Sequence, residues 1–457
     1  MGICMRDTER FFYFFYYLGL FPVTANVAPT QYSTEGARAF VREQGETLSN
    51  DLDTACMVGR GGDWGRFFVL LPHAWKTGSA ENPSTKEAAS WIFIASLALL
   101  CACFAYSVSI PLGVALTLFI GSSHFQLYET YHNINVFWTP VTTFVLTLAL
   151  LSKFIGTRSA IVSKVDWLRA AVAGVALALL SQVRLENLPL VASGLLALCC
   201  AKQPVARRLL LCVTFVGSLV TCVQVCDRYF TSKIAESAQF VTKSGGTLKT
   251  GEALAHHPFW HSIAAGLGDF DKRYGYQMSD IAIYSKVLPV LNSKFEYQFY
   301  PAEWFYGDRK DPNARIKPEN VPEYAPTARH IVLSDVRRDP LWYISILGKR
   351  ASLILSSFTP LRAKLLVAEY SWSVPSLLIA FCLVVVIATR HWRYLALMGM
   401  ALPMSAVPFL ITSTGGTTAY GVLQFVCVAI LFDMTCAMLW RGLAGARGGR
   451  SASCDPR

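Results

Sequence analysis

The sequence predicts an all-α polytopic membrane protein with about ten transmembrane helices and two large external loop regions. Three observations carry this. First, 53% of the 457 residues are hydrophobic and only 16% are charged, where a soluble chain carries about a quarter charged residues. Second, the apolar residues gather into runs close to the length a lipid core requires. Third, Lys and Arg fall in short clusters that alternate with links lacking them. This make-up excludes disorder as the main state, and the length excludes a small disulfide scaffold.

In chain order, the expected spans begin with Phe11–Ala25, a short aromatic-rich run read as a retained signal anchor. Ala89–Tyr106 and Ile110–Ser122 follow, joined by a very short link. Asn135–Ser152, Trp167–Val183, Leu188–Ala201 and Arg208–Cys226 come next. After a long polar region come Val374–Thr389, Tyr394–Ile411 and Tyr420–Trp440. Leu341–Ser357 is also apolar, but Lys349 and Arg350 interrupt it, which suits an interfacial amphipathic helix.

The charges give an orientation. Arg6 and Arg10, then Lys153, Arg158 and Lys164, then Lys202, Arg207 and Arg208 share one side. Arg390 and Arg393, and finally Arg441, Arg447 and Arg450, join them. The opposite links, Ser123–Ile134 and Thr412–Ala419, contain no Lys or Arg. Basic residues of short loops stay in the cytoplasm, so both termini are expected there. The division that follows is 1–25 cytoplasmic segment and first span, 26–88 first external loop, 89–226 spans, 227–372 second external region, 373–440 spans, and 441–457 cytoplasmic tail. The net charge of +11 is thus an orientation signal. No long basic tract is interleaved with aromatics, which excludes a nucleic-acid partner. Of the thirteen cysteines, most lie in apolar runs, where they act as small hydrophobes. No CxxC pair supports a zinc ribbon or thioredoxin motif. The one Asn-x-Ser match, Asn82-Pro83-Ser84, is blocked by proline and leans toward a bacterial cytoplasmic membrane.

The chemistry-bearing residues concentrate in the two external regions. Glu35 lies about ten residues past the first span, before a short helix capped by Ser33 or Thr34. A carboxylate at that depth is within reach of a lipid head group and suits a general base. Asp51 and Asp53 lie in the same loop. Arg184 and Glu186 sit in a link so short that they meet the lipid boundary, where ionisable side chains face the protein interior. Arg184 either pairs with Glu186 or binds a phosphate.

The densest motif is His256-His257-Pro258-Phe259-Trp260-His261, followed by Gly266-Leu267-Gly268-Asp269-Phe270-Asp271. His257 and His261 are four apart and would share a helix face, an arrangement open to a divalent cation. Pro258 marks a helix start, however, and HExxH is lacking, so no metal ligand is assigned. A sugar-binding loop with Trp260 as a stacking face fits better. Asp339-Pro340 is an N-cap followed by proline at the first helical position. That helix carries Lys349 and Arg350, suited either to snorkelling toward lipid phosphates or to binding the phosphate of a lipid carrier.

Together these features resemble the GT-C superfamily of polytopic glycosyltransferases. The matching parts are the cytoplasmic N-terminus, the acidic first external loop, short-linked spans and a late soluble external region. The resemblance covers most of the chain as architecture and only Glu35 as catalytic acid. Many relatives carry an acidic pair there, whereas Glu35 stands between Thr34 and Gly36. The resemblance implies transfer of a sugar from a polyprenyl-phosphate carrier to an acceptor hydroxyl. Glu35, assisted by Asp51 or Asp53, would take the acceptor proton. Arg184, His257, Trp260, His261, Lys349 and Arg350 would bind substrate. A divalent cation is the one cofactor left open, and membrane lipids are the expected surroundings. The competing classes are a transporter or flippase and a non-catalytic envelope-assembly protein on the same scaffold.

Overall fold

The computed structural model describes residues 85–121, 140–156, 163–183, 187–243, 259–295, 323–356, 360–365, 368–373, 377–411 and 422–451. Nearly all of them are helical. Helices α1 (Thr85–Ser107), α2 (Ile110–Gly121), α3 (Pro140–Ile155), α4 (Lys164–Val183), α5 (Leu190–Cys199) and α6 (Val205–Lys243) come first. Then follow α7 (Phe259–Leu267), α8 (Asp280–Phe295), α9 (Tyr324–Arg338) and α10 (Pro340–Ser356). The last are α11 (Leu377–Ala388), α12 (Trp392–Ala401), α13 (Ala406–Leu410) and α14 (Val422–Ser451). An antiparallel hairpin, β1 (Pro360–Leu365) with β2 (Ala368–Ser373), pairs Pro360 with Ser373 and Leu365 with Ala368. The hairpin is the one strand element among the described residues, which are otherwise helical as the all-α class requires.

Among the described residues, three helices are long and apolar enough to cross a membrane: Lys164–Gln182, Val205–Tyr229 and Val422–Ala444. The other apolar helices, such as Ile110–Gly121 and Leu377–Ala388, are shorter. The chain is therefore membrane-associated by the character of its helices. The first expected span, Phe11–Ala25, lies outside the described residues.

The expected span Tyr394–Ile411 is interrupted, and proline explains why. Proline lacks an N–H donor and clashes with the preceding turn. Pro403 denies Gly399 its usual donor, so the Leu402 N–H bonds the Gly399 carbonyl and the chain tightens into a 3-10 turn at Leu402–Ser405. Pro408 lies within the short α13 beyond it. The Met400 carbonyl accepts from the Ser193 hydroxyl of α5 at 2.7 Å.

Two hydrophobic cores form. The first runs through α1–α6, α11, α12 and α14, with Phe104, Phe144, Leu148, Phe215, Leu397 and Phe425 at its centre. Small residues bring its helices together. Ala170, Gly174 and Ala178 recur every four residues on α4, the spacing that lets membrane helices approach closely. A Cβ on Gly174 would lie 2.3 Å from the Phe215 carbonyl oxygen and 2.2 Å from Ser218 Oγ of α6. The second core joins α7, α8, α9 and α10 through Leu267, Tyr276, Tyr284, Leu288, Tyr324, Val332, Trp342 and Ile346. The stretch expected as a polar loop region thus contains a folded helical unit, here called the 259–356 unit.

Contacts order the bundle along its length. At one end, Gly156 abuts Ser107. There the Ser109 and Tyr394 hydroxyls both donate to the buried Asp433, and Arg393 lies 3.9 Å from the same carboxylate. Lys153 bonds Asp166 through both carboxylate oxygens at 2.7 Å. Asp166 also accepts from the Ser163 N–H, a capping-box arrangement that starts α4. From Arg393 the chain runs through α12 and the proline break to Ile411, where it meets Gly266 of the 259–356 unit.

Candidate functional site

The joint between unit and bundle is built on Arg350. Its Nε donates to Asp269 at 3.1 Å, Nη1 to the Phe409 carbonyl at 3.2 Å and Nη2 to the Gly266 carbonyl at 2.6 Å. The Arg350 side chain is 1% exposed and that of Asp269 0%. Only glycine fits at 266, because a Cβ there would lie 1.8 Å from the Ile411 carbonyl oxygen. The Gly266-Leu267-Gly268-Asp269 motif is therefore a docking turn. Arg350 was expected to meet a lipid phosphate. Its fork is instead committed to protein acceptors, the geometry a guanidinium needs when it is buried. Lys349 faces the other way: it is exposed, with Nζ 5.8 Å from the Phe270 ring centroid.

His261 sits inside the second core at 4% exposure. Its Nδ1 meets the Tyr324 hydroxyl, and Nε2 lies 3.0 Å from Asp280 Oδ1. A neutral imidazole donates from one nitrogen and accepts at the other. In the tautomer that donates Nε2–H to the Asp280 carboxylate, Nδ1 accepts a hydrogen bond from the Tyr324 hydroxyl. Tyr324 is fully buried, while Asp280 is about half exposed. The chain of groups leads from a buried phenol to a surface carboxylate and ties α7, α8 and α9 together. Trp260 is partly exposed, edge-on to Phe259 at 5.5 Å, with the Arg329 guanidinium 5.8 Å from its ring. One side of the indole is thus held by a cation.

A second polar cluster lines the turn between α7 and α8. Tyr274 takes a left-handed backbone (φ 57°), unusual for a residue with a Cβ, and Gly275 follows at φ 77°. Lys286 fastens the turn by donating to the Tyr274 carbonyl and to Asp335 at 3.0 Å. Its ammonium lies 3.6 Å from the Tyr276 ring centroid. The Tyr276 hydroxyl donates to Asp335 at 2.8 Å, and burial first, then that bond, pushes its pKa well above the usual phenol range. Asp339 caps α10 by accepting from the Trp342 N–H at 3.0 Å, and Arg273 bonds its other oxygen at 2.9 Å. These contacts hold the Asp339 carboxyl below its ordinary pKa, the backbone bond most strongly. The N-cap expected at Asp339-Pro340 is present. The Lys286–Asp335 pair is absent from any sequence motif: its members lie 49 positions apart on different helices.

Of the residues expected to form the site, Trp260, His261, Lys349 and Arg350 are described. Trp260 and His261 lie on α7, and Lys349 and Arg350 on α10. Glu35, Asp51, Asp53, Arg184 and His257 lie outside the described residues. Among the described residues, no group of three or more His, Cys, Asp or Glu side chains is placed to hold a metal ion. Comparison with protein-family models, with curated proteins and with solved structures finds no match.

Proposed function

We propose that this chain is a membrane glycosyltransferase that moves a sugar from a polyprenyl-phosphate donor to an acceptor hydroxyl on the external face, with the GT-C arrangement of about ten spans. The observation that carries the reading is the 259–356 unit. It is a folded body with its own core, anchored to the bundle at Ile411, away from the Arg393–Asp433 end. A transferase acting on a lipid-linked sugar needs such a body beside the membrane surface. In this reading Glu35 takes the acceptor proton, assisted by Asp51 or Asp53. The leaving phosphate gathers charge in the transition state, which calls for cations. Arg184, His257 and Lys349 are the candidates, with Trp260 as a sugar-stacking face. Arg350 is left out because Asp269 and two carbonyls occupy it. The membrane is the bacterial cytoplasmic membrane, with both termini inside.

One set of contacts favours the non-catalytic assembly reading. Several described acid–base groups of the unit are paired with one another: His261 with Tyr324 and Asp280, Arg350 with Asp269, and Lys286 with Asp335. The transporter reading finds a broken helix at Pro403, but the carbonyls beside the break are taken by Ser193 and Arg350 rather than left to coordinate an ion.

The test uses the full chain in lipid vesicles with a radiolabelled polyprenyl-phosphate sugar. The parent should release sugar to an acceptor. Glu35→Gln should lose roughly 10²–10⁴-fold in rate, the usual contribution of a general base, while remaining folded in the membrane. Near-parent rates would remove Glu35 from the role. Donor binding without turnover by the parent would favour the assembly reading.

A further inference from the structure

Among the described residues, one face of helix α10 packs on protein and the other is exposed. Trp342 and Ile346 enter the second core, and Arg350 closes the joint with the bundle. On the opposite face Leu341 is 75% exposed and Ile344 60%. Ser345, Gly348 and Ser352 are exposed among them, with Lys349 at the edge. The helix contains no Asp or Glu.

We propose that this outward face of α10 rests on the bilayer, at the boundary between head groups and acyl chains, on the side where the 259–356 unit meets the bundle. Three observations choose lipid as the occupant. The helix is seated on α13, where Leu410 is exposed, and the preceding turn exposes Leu402. Past the hairpin the chain enters α11, whose Leu377, Phe381, Val384 and Ile387 are also exposed. Apolar side chains are thus exposed on α10, on the α13 element it is seated on and on α11, as on elements that border lipid. Second, the charge is complementary: Lys349 flanks the face, and Arg337 and Arg338 are exposed at the adjoining end of α9. Basic side chains beside an apolar helix face suit lipid phosphates. Third, the buried Arg350 fixes the rotation of α10 about its axis, so the apolar face stays turned outward. A helix free to roll would bury it.

The consequence is a defined height for the unit. Lys349 would lie at the phosphate level, and the Asp339–Arg273 cluster, at the start of the same helix, would lie close to the head groups. The proposal holds whether or not the chain transfers sugar.

The test places a benzophenone amino acid at Ile344, and separately at Leu341, in the full chain. Both positions are exposed, so either tolerates the substitution. A third chain carries it at Ser285, exposed on α8. Each is reconstituted in vesicles of phosphatidylcholine with phosphatidylglycerol and irradiated, and adducts are weighed by mass spectrometry. Phospholipid adducts are expected at 344 and 341 and none above background at 285. Lys349→Gln should lower the phosphatidylglycerol-dependent yield about fivefold, the factor that one lysine contributes at an anionic surface. Adducts joining two copies of the chain would make the face a dimer contact and overturn the proposal. So would equal lipid labelling at 285, or no lipid adduct at 344 and 341.

Discussion

In the bundle, α4 and α6 meet at Gly174, whose missing side chain lets the Phe215 carbonyl approach. In the 259–356 unit, α7, α8 and α9 meet through His261, Tyr324 and Asp280, and the turn before α8 is fastened by Lys286 and Asp335. The first arrangement relies on close packing of small residues, which is what lipid leaves available, since tails are as apolar as leucine. The second relies on aromatic rings and paired charges around a smaller core, the solution of a body that borders water. The difference teaches where each region is vulnerable: the bundle to added volume, the unit to a charge left without its partner.

The largest effect is expected at the joint. Arg350→Met leaves the Asp269 carboxylate in a site with 0% exposure. Removing one member of a buried ion pair costs about 3–5 kcal/mol. Denaturant unfolding and protease sensitivity of the 259–356 unit in detergent should both show it. The double variant Arg350→Met with Asp269→Leu should recover most of the loss, because it removes both charges. A single variant as stable as the parent would show that the pair does not hold the unit to the bundle.

A smaller loss is expected from added volume. Gly174→Ala drives a methyl group against Phe215 and Ser218 and should cost about 1–3 kcal/mol as α4 and α6 move apart. Gly217→Ala on α6 meets nothing within 4 Å and should leave the melting temperature in detergent unchanged. Equal responses would break the comparison, since packing would then not distinguish the two positions.

The smallest effect is pH-dependent. The folded state depresses the Asp339 pKa through the Trp342 N–H and Arg273. Its stabilising contribution is therefore present above the ordinary carboxylate value of about 4 and lost as pH falls through the lowered folded value. Asp339→Asn keeps an N-cap and removes the charge. The parent should be the more stable at neutral pH, and the gap should close in acid. A gap that persists below the carboxylate range would assign the effect to the cap geometry instead.

Much of the helical order was legible because lipid imposes one pattern on sequence, long apolar runs. Ile110–Gly121 and Trp167–Val183 could be placed within a few residues from that pattern alone. The break at Pro403 was legible in principle, but an apolar run hides it, because hydropathy does not register a missing N–H. The 259–356 unit was readable only in fragments. The Asp339-Pro340 cap is local chemistry and was visible; the Arg350–Asp269 pair joins positions 81 apart and left no spacing to read. Arg350 and Lys349 are neighbours in sequence with opposite fates, since one helical step turns a side chain through about 100°. The hairpin carries a period-2 signal, Leu361-Arg362-Ala363-Lys364-Leu365 and Ala368-Glu369-Tyr370-Ser371-Trp372-Ser373, but a search for long apolar runs passes over such alternation.

The most direct test of the account is topographic, because sugar transfer requires the first loop and the 259–356 unit to share one side of the membrane. An epitope is inserted within residues 26–88, another within 296–322, and a third after residue 450, each in the full chain. Antibody access is then read in sealed cells and after permeabilisation. The account predicts that the first two are reached in sealed cells and the third only after permeabilisation. Finding the first two epitopes on opposite sides of the bilayer would contradict it.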